Sequence, residues 1–241
     1  MTMDTSTHNN VGAVKAPGSY LPESLNPAGY QSLTDILALA VEKYNDKPAF
    51  TSVGRTLTYR ELGEKSDQFA AYFQNETDLV PGDRIAIQLP NVIQYPVVLF
   101  GAMKAGLIVV NTNPLYTPKE LEHQFNDAGV KALVVFANMA HNVEKVLAKT
   151  SIKHVIVTEI ADFHAPMKRL LVNSVVKYVK KMVPEYHLPN ALRLNDVLAK
   201  GAGKAVMKVK TTPEQIAVLQ YTGGTTGVAK GAMLTNANLI S

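Results

Sequence analysis

The sequence predicts an α/β fold, doubly wound around a mostly parallel sheet, and three observations carry that prediction. Strand-like and helix-like runs alternate from about residue 80 to residue 160. Some strand-like runs, such as Leu133-Val134-Val135-Phe136, are continuously apolar, as strands covered on both faces of a parallel sheet are. Helix-start signals recur between these runs.

Three segments carry the spacing of a capping box: Ser32-Leu33-Thr34-Asp35, Thr58-Tyr59-Arg60-Glu61 and Thr117-Pro118-Lys119-Glu120. In each, a hydroxyl can accept an orphan amide while an acid sits in the positive first turn. Pro118 at the first helical position strengthens the last of them. Strands are expected over Ala49–Val53, Arg84–Leu89, Leu107–Val110, Ala132–Phe136, His154–Thr158 and Ile216–Tyr221. Pro81-Gly82-Asp83 reads as the turn feeding the second of these. The apolar stretch Val92–Val110 is broken by Gln94, Pro96 and Lys104, so it reads as a buried helix and strand rather than a membrane span. Residues 184–213 are loop-rich, and a new helix is expected to begin near Asn238.

Composition bounds the function. The chain has 241 residues, 46% of them hydrophobic, with a net charge of +4 and no cysteine. That apolar content excludes a disordered chain, and the missing thiols exclude disulfide scaffolds, cysteine metal sites and thiol nucleophiles. The basicity is local. Phe163–Val183 holds five of the 24 basic residues and no acid, which leaves 19 basic against 20 acidic residues elsewhere. A general nucleic-acid-binding surface is therefore not expected. Met1–Tyr20 lacks a basic segment followed by an apolar one, so no signal peptide is read and a cytoplasmic location is expected.

The sharpest chemical feature is Tyr221-Thr222-Gly223-Gly224-Thr225-Thr226-Gly227-Val228-Ala229-Lys230-Gly231, directly after the apolar run Ile216–Leu219. Its glycines allow close backbone approach, its hydroxyls and amides can donate to phosphate oxygens, and Lys230 adds a mobile positive charge. It is not a Walker A loop, because Gly231 follows Lys230 where that motif has Ser or Thr. Nor do Gly223, Gly224 and Gly227 make the dinucleotide fingerprint. The plain alternative is a flexible surface loop; the coincidence of glycines, hydroxyls and lysine behind a buried strand favours phosphate binding.

This loop closely resembles the phosphate-binding motif of the adenylate-forming enzymes. Gly82-Asp83-Arg84-Ile85-Ala86, Asn91, the run Asn111–Thr117 with Glu120-Leu121, and Leu57–Leu62 resemble that family's upstream landmarks, in order. The nearest resemblance is to bacterial long-chain fatty-acid–CoA ligases, through Val228–Thr235, with Ala229 where many members have Pro and Asn236 where these ligases often have His. The resemblance implies the doubly wound N-terminal domain of that family, incomplete here: an extended arm over residues 1–29, then the N-terminal part of an AMP-binding domain over 30–241.

It also implies a two-step reaction. A carboxylate attacks the α-phosphate of ATP to give an acyl-adenylate and pyrophosphate, and coenzyme A then displaces AMP. Thr222, Gly223, Gly224, Thr225, Thr226 and Gly227 would cradle the outer phosphates, Lys230 would hold the loop or pair with phosphate, and Thr222 would help position magnesium. No catalytic residue is assigned, because the family's acidic magnesium-linked residue, ribose-binding aspartate, most of the acyl pocket and catalytic lysine lie downstream of these landmarks. The chain is expected to be an N-terminal fragment without a complete active site. The implied partners are a fatty acid and coenzyme A, with a homodimer suggested by some relatives. Two other readings stay open: an adenylating ligase for a different carboxylic acid, and a non-catalytic nucleotide- or membrane-binding module.

The basic segment is expected to form a helix over Met167–Val183. Met167, Leu171, Val175, Tyr178, Val179 and Met182 would share one side, and Arg169, Lys177, Lys180 and Lys181 would lie opposite. Such a helix either lies on an anionic membrane surface or packs its apolar side on the core with solvated lysines. The six histidines show no metal spacing, and there is no G-x-S-x-G elbow.

Overall fold

Helix first turns leave amide groups without partners, and the chain satisfies them where hydroxyls and acids were expected. The computed structural model describes residues 29–222 and 229–241, so almost all of the expected N-terminal arm lies outside the described residues. Helices α1 (Leu33–Tyr44), α2 (Tyr59–Glu76) and α4 (Pro118–Asp127) begin directly after Ser32, Thr58 and Thr117. Glu61 N–H donates to Thr58 Oγ1 at 3.2 Å, and Thr58 N–H returns a bond to the Glu61 carboxylate at 3.0 Å. Thr117 and Glu120 repeat the exchange at 3.4 and 2.7 Å. A fourth box opens the terminal helix α8 (Asn236–Ile240), where Thr235 pairs with Asn238 at 3.0 and 3.2 Å. An amide stands there in place of the acid, so a pattern that requires an acid passes over it.

The main sheet contains β3 (Arg84–Gln88), β4 (Ile108–Asn111), β5 (Val130–Phe136), β6 (His154–Thr158), β7 (Leu192–Arg193), β8 (Ile216–Thr222) and β9 (Lys230–Thr235). Its order is β7-β6-β5-β3-β4-β8-β9. All neighbours are parallel except β8 and β9, which form an antiparallel pair. From β3 the chain steps to β4 on one side, then crosses to β5 on the other and continues outward. That reversal is the doubly wound pattern, and it opens a crevice at the carboxyl ends of β3 and β5.

Alternation along each buried strand builds two cores. Ile85, Ile87, Val109 and Val134 face α2, α3 (Gln94–Lys104) and α7 (Leu194–Gly201), where Phe69, Val97 and Leu198 meet them. Ala86, Val110, Leu133 and Val135 face α4 and α5 (Ala140–Leu147), against Phe125 and Val143. Each such valine, leucine, isoleucine or phenylalanine contributes about 1.5–3 kcal/mol of burial. A separate hairpin pairs β1 (Pro48–Ser52) with β2 (Arg55–Thr58).

The basic segment departs from its expected arrangement. Helix α6 (Pro166–Ser174) runs into a π-helical turn over Val175–Val179 and stops there, short of Val183. One polar residue ties it to the body: the Asn173 amide donates to Glu159 at 3.2 Å and to Asp162 at 3.3 Å, and its oxygen accepts the Ala161 N–H at 3.0 Å. The apolar residues Met167, Leu170, Leu171, Tyr178, Val179 and Met182 are 54–81% exposed. A satisfied amide draws the helix to two carboxylates, and the wider π turn shifts the phase on which the helical-wheel reading relied. The packing of this apolar side onto the core, one of the two expected arrangements, is therefore not what forms.

Candidate functional site

The conspicuous loop is held between two strands in direct register. Thr222 ends β8, Lys230 begins β9, and the two residues oppose each other across the antiparallel pair. Gly223, Gly224, Thr225, Thr226, Gly227 and Val228 lie outside the described residues. Strand β8 runs parallel to β4, with Asn111 beside Gln220. Thr222 therefore sits at the carboxyl edge of the parallel strands, where open α/β sheets bind ligands. Both Thr222 and Lys230 are exposed, so a hydroxyl and an ammonium group are open to solvent where β8 ends and β9 begins.

The next residue pair inward is buried and structural. Tyr221 and Gly231 are register partners, and a Cβ placed on Gly231 would lie 2.8 Å from Tyr221 Cε2. Only glycine lets the ring lie this close to the β9 backbone. The Tyr221 hydroxyl donates to Asp127 Oδ2 at 2.5 Å. Burial raises the Tyr221 pKa and the Asp127 carboxylate raises it further, so the phenol keeps its proton throughout the physiological range. His123, one turn before Asp127 on α4, meets the Ala229 carbonyl through Nε2 at 3.2 Å. Helix α4 thus grips both ends of the loop: Tyr221 through Asp127, and Ala229 through His123.

A second set of bonds fixes β8 laterally. Asn111 Nδ2 donates to Gln220 Oε1 at 2.8 Å, and the Tyr95 hydroxyl donates to Asn111 Oδ1 at 2.8 Å. Gln124 Nε2 donates to the Asn111 carbonyl at 2.9 Å. These bonds tie α3, β4, α4 and β8 together beside the loop. Asn111 lies in a run the sequence reading singled out. Gln220, Tyr95, Asp127 and His123 were not assigned a role there. A polar Gln at the carboxyl end of an otherwise apolar strand was the one available sign.

Among the described residues of the motif, Thr222 supplies a hydroxyl and Lys230 a positive charge. Tyr221, Ala229 and Gly231 supply the packing that fixes where those groups point. This arrangement can bind and orient an anion.

Comparison with known proteins agrees with this geometry. The family model described as AMP-binding enzyme matches residues 37–241. A long-chain-fatty-acid–CoA ligase of Escherichia coli O157:H7 is 52% identical over 221 residues, covering 92% of this chain and 39% of that protein. Its counterpart in Haemophilus influenzae is 51% identical over 217 residues, covering 90% and 39%. The crystal structure of a long-chain-fatty-acid-CoA ligase from Archaeoglobus fulgidus superposes with a TM-score of 0.67 at 28% identity, covering 87% of this chain and 38% of that one. The chain thus spans about 39% of the length of the curated relatives it matches. With the sheet topology, the loop between Thr222 and Lys230 and the match over residues 37–241 all in agreement, this chain belongs to the AMP-binding enzyme family.

Proposed function

We propose that this chain supplies the phosphate-holding part of an ATP-dependent, AMP-forming long-chain fatty-acid–CoA ligase. The observation that carries the reading is the register pairing of Thr222 with Lys230 at the carboxyl edge of the sheet. The roughly 50% identity to proteins named for that activity supports the substrate class. In the first step a fatty-acid carboxylate oxygen bonds to the α-phosphorus of ATP and pyrophosphate leaves. In the second, the coenzyme A sulfur bonds to the acyl carbon, its proton is lost, and AMP leaves. The contribution of this chain is positioning and charge neutralisation. Lys230 attracts the outer phosphates, Thr222 donates to them, and the α4 anchors at Tyr221 and Ala229 hold both in place before ATP arrives.

Magnesium, when bound, neutralises phosphate charge. The exposed Thr222 hydroxyl is an oxygen ligand of the hard type that this ion takes, so the residue fits a role as one of its ligands.

The test has two arms. The 241-residue chain is expected to bind ATP, with Lys230→Ala weakening binding about tenfold, and to form no acyl-CoA by itself. A longer protein carrying this segment, joined to the remainder of a ligase, is expected to release pyrophosphate with long-chain acids in preference to short or aromatic ones. Release with aromatic acids alone would assign a different carboxylate.

Peripheral contact with an anionic membrane is part of the same proposal. It is supported by the exposed Met167, Leu170, Tyr178 and Val179 beside Lys168, Lys177, Lys180 and Lys181. Among the described residues no helix is long and apolar enough to cross a membrane. The chain is expected to sediment with anionic vesicles and to be released by salt; equal binding to neutral vesicles would remove this part of the reading.

A further inference from the structure

Away from the phosphate loop, an apolar groove of about 460 Å³ runs between the β1–β2 hairpin, the end of β5 and the inner flank of α6 with its π turn. Its walls are Val53, Phe136, Ile160, Leu171, Val175 and Val176. Lys180 and Met182 also line it, and Asn138 Nδ2 donates to the Met182 carbonyl at 2.8 Å. The volume falls within the range of about 300–1,000 Å³ typical of small-molecule sites.

Three local features converge on this groove. Val53 and Gly54 form the two-residue turn of the β1–β2 hairpin, with φ of 50° and 71°. That turn takes Asn, Asp or Gly readily, and a β-branched residue there is strained. Val53 nevertheless stands half-exposed and lines the groove. The π turn over Val175–Val179 places Val175 and Val176 in the wall, and such turns concentrate at functional positions. Lys181, next to Lys180, is also left-handed, with φ of 49°.

We propose that this groove is a second, non-catalytic acyl site that holds a long-chain carboxylate, its tail against Val53, Phe136 and Val176 and its head group at Lys180. Charge selects the head group: the segment Phe163–Val183 carries five basic residues and no acid, so an anionic amphiphile is favoured over a neutral one. Position gives the site a use. Phe136 ends β5 at the same sheet edge as Thr222, three strand spacings from β8, roughly 14 Å. A fatty acid held there lies at the same carboxyl edge of the sheet as Thr222. The choice of a long-chain acid rests on the ligase reading; the groove and its charge do not.

The purified 241-residue chain is titrated with cis-parinaric acid, a fluorescent long-chain acid, without ATP or vesicles. Saturable binding is expected, displaced better by oleate than by oleyl alcohol. Val53→Asn is expected to weaken binding about tenfold while the melting temperature holds or rises, because asparagine relieves the turn. Lys180→Gln is expected to abolish the preference for acid over alcohol, a change of about fivefold. Absence of saturable binding, or affinities unchanged in both variants, overturns the proposal. Loss of binding in Val53→Asn together with a lowered melting temperature also counts against it. Failure of the ligase reading shows separately, as absence of pyrophosphate release by the longer protein, and leaves this titration unaffected.

Discussion

Replacing Tyr221 by Phe removes one hydroxyl and leaves the ring where it is. The Asp127 carboxylate then loses its donor but stays exposed to water, so the expected cost is about 1 kcal/mol. A thermal melt should show a drop of about 2–4 °C. Asp127→Asn keeps an acceptor oxygen and should cost less than Asp127→Ala. Gly231→Ala is a harsher change at the same place. Its new methyl meets the Tyr221 ring at 2.8 Å, so the ring or β9 must shift, at about 1–3 kcal/mol. If Gly231→Ala melts like the wild type, the packing account of Gly231 is wrong. The motif stood out in the chain because its glycines, threonines and lysine are a local feature of composition. The anchors were not, because Tyr221 meets Asp127 across 94 residues and His123 meets Ala229 across 106. No local pattern carries a bond of that span. The Tyr221 side chain, grouped at first with the ligand-contacting residues, points to α4 in the structure.

At the scale of elements, the caps offer the cleanest test. Thr58→Ala removes the acceptor of the Glu61 N–H while Glu61 still accepts from the backbone of residue 58, and α2 loses about 1 kcal/mol. A urea midpoint shifted down with unchanged slope checks this. Helix α2 matters because α3 and α7 both pack on it, and Gly201 shows how closely. A Cβ there would lie 1.8 Å from the Gln68 carbonyl oxygen, so Gly201→Ala must displace α7 bodily. Its expected effect on the urea midpoint exceeds that of Thr58→Ala. Buried parallel strands and capped helices were legible because both leave local signatures, continuous apolar runs and hydroxyl–acid spacing. Strands β7 and β9 were not: β7 is two residues long, and β9 is an edge strand whose Met233 is 65% exposed. The orientation of α6 failed for a different reason. The helical-wheel argument assumes that apolar residues turn inward, whereas Asn173, bonded to Glu159 and Asp162, turns inward and leaves Met167, Leu170 and Leu171 exposed. Burial and the neighbouring Asp162 raise the Glu159 pKa, which marks how much that pair needs the amide.

For the whole molecule, the near balance of charge outside Phe163–Val183 conceals a set of carboxylates that join segments far apart in the chain. Asp83, in the turn before β3, meets the Lys131 ammonium of β5 at 2.7 Å and accepts the Val80 N–H at 3.0 Å. Asp78 holds Lys153 and His154 at the start of β6, at 2.8 and 2.7 Å. Burial alone would raise the Asp83 pKa, but the lysine and the amide outweigh it and hold the group below its usual range. Asp78 is lowered by its bonds to Lys153 and His154. A carboxyl whose folded pKa is depressed stabilises the fold above its unfolded value, near 3.9, and that stabilisation disappears as pH falls through the folded value. Denaturant unfolding at a series of pH values should therefore show stability steady near neutrality and falling below about pH 4. Asp83→Asn should cost about 1–2 kcal/mol at pH 7, because the charged bond to Lys131 is lost, and should flatten the acid limb. The wild-type and Asp83→Asn curves should converge at acid pH, below the depressed folded pKa of Asp83, where both side chains are neutral. Parallel curves with no convergence would mean that Asp83 acts through shape rather than charge. In that case β3 and β5, whose carboxyl ends frame the switch-point crevice, are held together by their backbone ladder and packing, without a charge contribution from Asp83.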